Sequence, residues 1–148
     1  MDVERYDGPR AAVQWLFELA EDSAALLDGY LDLGVVLVAR DGDELVGHLQ
    51  LVGNEIKNMA VVEQHRGHGV GARLIAAAVE LLTAEGATTV LVATGAADVG
   101  NLRFYQRQGF RMRSIERDVF IPANGYPEGI MVDGIELRDQ VWLDRALP

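Results

Sequence analysis

A ten-residue run, HRGHGVGARL from His65 to Leu74, constrains the fold of this chain more than any other feature. It carries glycine at three alternate positions, Gly67, Gly69 and Gly71, and leads directly into a long amphipathic segment. Because glycine lowers helix stability and costs backbone entropy, the cluster needs a reason: a tight turn, or a backbone that something approaches closely. The preceding segment, EIKNMAVV, is typical of a strand. A glycine loop between a strand and a helix N-terminus is suited to binding anions.

The rest of the chain predicts an alternation of helices and strands. A helix over GPRAAVQWLFELAEDS and a short one from Ser23 to Leu31 precede a hairpin around Asp41-Gly42. The helix after the glycine loop closes at Gly86, and TTVLVATG is typical of a strand buried on both faces. A short helix in GNLRFYQRQG, a strand in FRMRSIERDVF, a turn-rich loop in IPANGYPEGIMVDG and a final strand in IELRDQVWL complete the pattern. This order predicts one α/β or α+β domain over residues 1–148, built around a mixed sheet.

Composition removes several classes of protein. A formal charge of −10 disfavours a nucleic-acid partner, whose phosphates would be repelled. The absence of cysteine excludes disulfides, thiolate metal sites and a cysteine nucleophile. The three histidines lack a ligand spacing, so no metal site is predicted. No apolar run has the length of a membrane span and no signal core opens the chain, so the expectation is a cytoplasmic protein without a membrane partner.

Three kinds of phosphate-binding loop compete for the glycine cluster. A Walker-type loop needs Lys and then Ser or Thr after its last glycine, but Ala72 and Arg73 follow here. A dinucleotide fingerprint needs the spacing G-x-G-x-x-G after an early strand, and this loop lies in mid-chain with a different spacing. The third pattern, R-x-x-G-x-G, is filled by Arg66, Gly69 and Gly71.

With that pattern, the segment NMAVVEQHRGHGVGARLI resembles the central motif of the GNAT superfamily of acyl-CoA-dependent N-acetyltransferases. FYQRQGF, from Phe104 to Phe110, is similar to the second signature of that family, and TTVLVATG lies between the two motifs. The resemblance covers at least Glu55 to Phe110. It implies a GNAT-like mixed, mostly antiparallel central sheet flanked by helices, with acetyl-CoA as co-substrate and no metal.

The resemblance also implies which residues contact the co-substrate. The strand before the loop is expected to bind the pantetheine arm with its backbone at Met59, Ala60 and Val61, with the Val61 N–H aimed at the thioester oxygen. Backbone N–H groups of the loop and the helix dipole suit the pyrophosphate. His68 and its neighbour His65 either contact phosphate or are solvated. The predicted loop contacts are Arg66, Gly67, His68, Gly69, Val70, Gly71 and Ala72.

Four residues are candidates for the chemistry and the acceptor. Tyr105 matches the family's proton donor to the departing thiolate, although Asp98 stands seven positions earlier, where many members carry Asn. Glu55 occupies the position of a general base in several members, acting directly or through water. Asp139 falls among apolar residues that alternate along the predicted last strand, so it either anchors the substrate amine or satisfies a structural partner. Tyr126 is predicted to line the acceptor site.

The sequence therefore predicts an N-acetyltransferase that moves an acetyl group from acetyl-CoA to a primary amine of a small molecule or peptide. Direct attack is expected, because no Cys or activated Ser suggests an acyl-enzyme. The alternative is a non-catalytic module that binds or senses acyl-CoA. A homodimer is left open.

Overall fold

The computed structural model describes all residues, 1–148, and its main feature is a seven-stranded sheet. The strands are β1 (Asp2–Tyr6), β2 (Val35–Asp41), β3 (Glu44–Val52), β4 (Glu55–Val61), β5 (Thr89–Gly95), β6 (Arg111–Glu116) and β9 (Gln140–Ala146), in the order β1-β2-β3-β4-β5-β9-β6. Only the β4–β5 pair is parallel. The short strands β7 (Met131–Val132) and β8 (Ile135–Glu136) form a separate hairpin.

Helices cover both faces of this sheet, as the predicted fold class requires. α1 (Gln14–Glu18) and α2 (Ala24–Tyr30) pack on one face, around a core that includes Phe17 and Leu27. α3 (Val70–Ala84) and α4 (Val99–Arg107) lie on the other, where Leu74 contributes to the larger core. None of the helices has the length and hydropathy of a membrane span.

The sequence prediction of the final strand is wrong in one respect. Ile135 and Leu143 were expected to share the buried face of a single strand, but the chain leaves the sheet between β8 and β9. Ile135 is 50% exposed in the small hairpin, whereas Leu143 is fully buried in β9. The alternation of apolar residues continued by chance across a loop. The first strand, β1, was not predicted because its DVERY sequence carries no apolar face.

Candidate active site

The predicted site is centred on the place where β4 and β5 diverge. The two strands pair only at Glu55 and Ile56, so β4 has no strand partner on that side from Lys57 to Val61. On its other side, the Val62 N–H donates to the Val46 carbonyl of β3 at 2.9 Å. Because alternate residues of a strand point their backbone groups to opposite edges, the N–H groups of Met59 and Val61 face the gap left by β5.

The glycine loop stands at the end of this gap. Gly67 and Gly69 have φ angles of +79° and +83°, in the left-handed region that favours glycine, and a Cβ on either would meet no atom within 4 Å. Gly69 is the N-cap of α3. The first hydrogen bond of the helix runs from the Arg73 N–H to the Gly69 carbonyl. The N–H groups of the first turn, from Val70 to Ala72, therefore point out of the helix end. Open space and free donors together fit a phosphate group.

Gly71 has a different role from the one expected. A Cβ there would lie 2.9 Å from the ring of Phe104 on α4 and 3.4 Å from the Met59 side chain. Its missing side chain therefore allows α3 to pack against α4, and steric room for phosphate is not the reason for this glycine. Its N–H remains among the free donors of the helix end.

The cationic residues around the loop mostly contact protein groups. The Arg66 guanidinium donates to the Val61 carbonyl at 3.0 Å, which fixes the loop to the end of β4. Arg73 donates to the Met1 carbonyl, and His65 lies 3.6 Å from the Asp41 carboxylate. His68 is exposed beside them in a shallow depression.

Tyr105 lies on the α3–α4 face of β4, next to the gap. Its hydroxyl contacts the Met59 sulfur at 3.9 Å, and its ring packs edge-on against Phe104 and Phe110. Burial raises the pKa of the Tyr105 phenol above its ordinary value, and the negative charge of Asp98 adds to the shift. The phenol therefore keeps its proton. Asp98 caps α4, its carboxylate accepting from the Asn101 N–H at 2.9 Å.

The opposite face of β4 carries a chain of hydrogen bonds that sequence reasoning missed. The Asn58 amide donates to the Tyr30 hydroxyl at 2.9 Å, and that hydroxyl donates to the Glu21 carboxylate at 2.9 Å. The Asn58 carbonyl oxygen lies 2.7 Å from the Nε2 of buried His48. The one feature of the sequence that could have indicated this network is Asn58, a polar residue at a buried position of the strand. Its partners come from segments 10 to 41 residues away.

Tyr126 lies close to this hydrogen-bond network. Its ring packs edge-on against Phe120 at 5.0 Å between centroids. Burial, together with the negative charges of Glu21 and Asp22, raises its pKa to about 12. Burial also raises the pKa of the Asp22 carboxyl. The rings of Phe120 and Tyr126 therefore lie near the carboxylates of Glu21 and Asp22, a combination that suits a cationic group.

The remaining two candidates are placed further from the centre. Glu55 is half-buried at the paired end of β4, four residues and about 13 Å of strand from Met59. Burial raises the pKa of its carboxyl, and Lys57 opposes that shift. Asp139 precedes β9, and its carboxylate accepts from the Asp118 N–H at 2.9 Å. No group of three or more His, Asp or Glu side chains is arranged to hold a metal.

Comparison with known proteins agrees with this geometry. The model of the acetyltransferase (GNAT) family matches residues 6–110. The uncharacterized N-acetyltransferase YvbK of Bacillus subtilis is 37% identical over 133 residues, which is 86% of this chain and 84% of the relative.

Two solved structures are similar over nearly their whole length. An IAA acetyltransferase from Bacillus cereus has a TM-score of 0.89 at 34% identity, covering 99% of both chains. A Bacillus subtilis acetyltransferase in complex with CoA also has a TM-score of 0.89 at 34% identity, covering 99% of this chain and 98% of the other.

The fold and the strand–loop–helix site thus define an acyltransferase. The chain belongs to the GNAT acetyltransferase family. This confirms the family, the fold class and the enzyme class that the two sequence motifs predicted.

Proposed function

We propose that residues 1–148 form a single acetyltransferase domain that moves an acetyl group from acetyl-CoA to a primary amine by direct attack. The observation that carries the proposal is the position of Tyr105, whose hydroxyl lies beside Met59 where β4 and β5 diverge. The similar Bacillus subtilis acetyltransferase binds CoA, and an Elizabethkingia anophelis GNAT protein of 29% identity and TM-score 0.88 binds acetyl-CoA. The second structure covers 99% of this chain and 97% of its own.

The co-substrate supplies an activated acyl group, and the chain's own residues orient it. The free N–H groups at the start of α3 and the positive φ of Gly67 and Gly69 support a pyrophosphate cradle over Arg66–Ala72. Along β4, the outward N–H groups of Met59 and Val61 are suited to pantetheine and to the thioester oxygen. Ala60 lies between them with its backbone turned to β3.

Tyr105 acts as the general acid in this proposal. A departing thiolate needs a proton, and the buried phenol is neutral and carries one. Phe104 and Phe110 hold the ring, so the hydroxyl stays directed at β4.

The amine approaches from the opposite face of β4, where Glu21, Tyr30 and Tyr126 lie. An amine with a pKa near that of Lys, about 10.4, arrives as an ammonium ion, which the Glu21 carboxylate attracts. Proton removal then needs a carboxylate. Glu55 performs it through intervening water, since its distance from Met59 is too long for direct contact.

Thiol release from acetyl-CoA, measured with a panel of small amines and amino-terminal peptides, tests this function. We expect amine-dependent release that follows saturation kinetics in both substrates. Glu21→Gln should raise the acceptor KM roughly tenfold with little change in acetyl-CoA affinity. Tight acetyl-CoA binding without turnover on any amine would favour the acyl-CoA-binding module.

A further inference from the structure

The outer edge of the sheet, at β6, is exposed along its whole length. β6 pairs only with β9, and each of its six residues is exposed. Met112 is 54% exposed and Ile115 is 70% exposed. An edge strand presents unpaired backbone N–H and C=O groups to any second strand. Large apolar side chains along such an edge are typical of a contact surface.

Met112 and Ile115 project from the same face of the sheet. Met112 lies opposite Leu143, and Ile115 lies opposite Val141, both of which belong to the main core. Cross-strand partners share a face, so the two exposed side chains extend the core face past β9. A bulge between Met112 and Ser114 inserts one extra residue, Arg113. Without it, Met112 and Ile115 would point to opposite faces.

When two copies of the strand RMRSIE are aligned antiparallel, a basic residue lies opposite an acidic one and an apolar residue lies opposite another apolar one. A two-fold axis between Arg113 and Ser114 sets Arg111 opposite Glu116 of the second copy and Met112 opposite its Ile115. Because of the bulge, the two side chains of each pair point to the same face of the sheet: Met112 and Ile115 to one face, Arg111 and Glu116 to the other. Neither Arg111 nor Glu116 belongs to an ion pair within the chain, whereas Arg113 is engaged by Asp144 at 3.6 Å.

We propose that β6 is a dimerisation strand, which pairs antiparallel with β6 of a second copy and joins the two seven-stranded sheets. The contact is isologous, because one strand supplies both halves of every pair. Backbone hydrogen bonds provide the pairing, Met112 and Ile115 provide the apolar contact, and Arg111 with Glu116 sets the register. A net charge of −10 opposes unspecific association, so this local match determines the partner.

Charge reversal within the strand tests the register. Sedimentation equilibrium of the full chain should show a dimer. Arg111→Glu and Glu116→Arg should each raise its dissociation constant roughly tenfold, because each places like charges opposite at two symmetric positions. The double variant R111E/E116R restores both pairs and should restore the dimer. Glu80→Arg, an exposed reversal on α3, is the matched control and should leave the dissociation constant unchanged.

Amide hydrogen exchange identifies the strand itself. Protection of the β6 amides should increase with protein concentration and decrease in the two single variants. A wild-type monomer at all concentrations would overturn the proposal. So would a dimer that ignores the single reversals, or a double variant that stays monomeric. Melting temperatures of all variants separate loss of the dimer from loss of the fold, and acetyl transfer is assayed independently.

Discussion

At the residue scale, two tyrosine hydroxyl groups lie on opposite faces of β4. Tyr105 contacts Met59 from the α3–α4 face, and Tyr30 contacts Asn58 from the α1–α2 face. Successive residues of a strand point to opposite faces, so this arrangement follows directly from Asn58 and Met59 being neighbours. In the proposed mechanism, the edge of β4 that binds the thioester therefore has the proton donor on one side and a carboxylate-bearing surface on the other.

Tyr105→Phe tests the proton donor. The ring and its packing remain, while the ionisable proton is removed, so we expect kcat to fall by roughly 10²–10⁴. Acetyl-CoA affinity and melting temperature should stay close to those of the wild type. Tyr6→Phe, which removes a hydroxyl bound to the Pro9 carbonyl at a distant edge, is the matched control. A wild-type kcat in Tyr105→Phe would assign that residue to core packing alone.

The sequence indicated Tyr105 as a candidate site residue but not Tyr30, and the reason is physical. Tyr105 lies in a local motif whose spacing to the glycine loop is set by one strand and two helices. Tyr30 is held in place by contacts with Glu21 and Asn58, which depend on how two helices dock on a sheet. Such docking has no local pattern, so a tyrosine on a helix cannot be distinguished from an ordinary core aromatic.

At the element scale, the glycine loop combines two different requirements. Gly67 and Gly69 are required by backbone conformation, and Gly71 by the packing of α3 on α4. The sequence pattern predicted the loop and the helix that follows it, since strand, glycines and amphipathic stripe are all local. It could not separate the three glycines, because Phe104 meets Gly71 only after α4 has packed.

Substitution of single glycines separates the two requirements. Gly69→Ala should weaken coenzyme A binding, at about 1.5–3 kcal/mol for each charge-assisted hydrogen bond lost. Gly53→Ala, at a turn with φ of +59° and equally open surroundings, introduces the same backbone strain and should leave that affinity unchanged. Gly71→Ala should instead lower stability by about 1–3 kcal/mol through overpacking against Phe104. Calorimetric titration and thermal melts measure both quantities, and equal affinities in Gly69→Ala and Gly53→Ala would contradict the cradle.

The connection before β9 offers a second test at this scale. Asp139→Ala leaves the Asp118 N–H without its partner and should lower stability by roughly 1 kcal/mol. Asp139→Asn keeps an acceptor oxygen, so its melting temperature should match the wild type. If Asp139 also anchors a cationic acceptor, Asp139→Asn raises the acceptor KM. An unchanged KM restricts Asp139 to holding the loop.

At the scale of the whole molecule, the two cores on either side of the sheet differ in polarity. The α3–α4 side is mostly apolar, whereas the α1–α2 side buries His48, Gln50 and Asn58 in the middle of the sheet. Most strands of the sheet were accessible from their apolar patterns, but β1 and the order of the strands were not. The polar layer formed by His48, Gln50 and Asn58 could not be predicted either. Its hydrogen bonds are completed by carbonyl and hydroxyl groups of α1 and α2, which the sequence pattern does not reveal.

The polar layer makes the stability of the protein depend on pH through His48. Burial lowers the pKa of His48 from 6.5 to about 4, so the unfolded chain binds a proton that the folded chain refuses. Stability is therefore complete above pH 6.5 and is lost as pH falls towards 4. Between pH 7.5 and 5.5 the loss should be roughly 1.4 kcal/mol, or about 3–6 °C in Tm.

His48→Gln isolates this contribution. Its amide can still bond Asn58 but does not titrate, so its Tm should depend less on pH over the same interval, whatever its absolute stability. The carboxyls of Asp22 and Glu55 have raised pKa values and act in the opposite direction, gaining stability as they protonate. They are present in both proteins, so the difference between the two Tm profiles reports His48 alone. Parallel profiles for wild type and His48→Gln would show that His48 does not control the acid sensitivity of the fold.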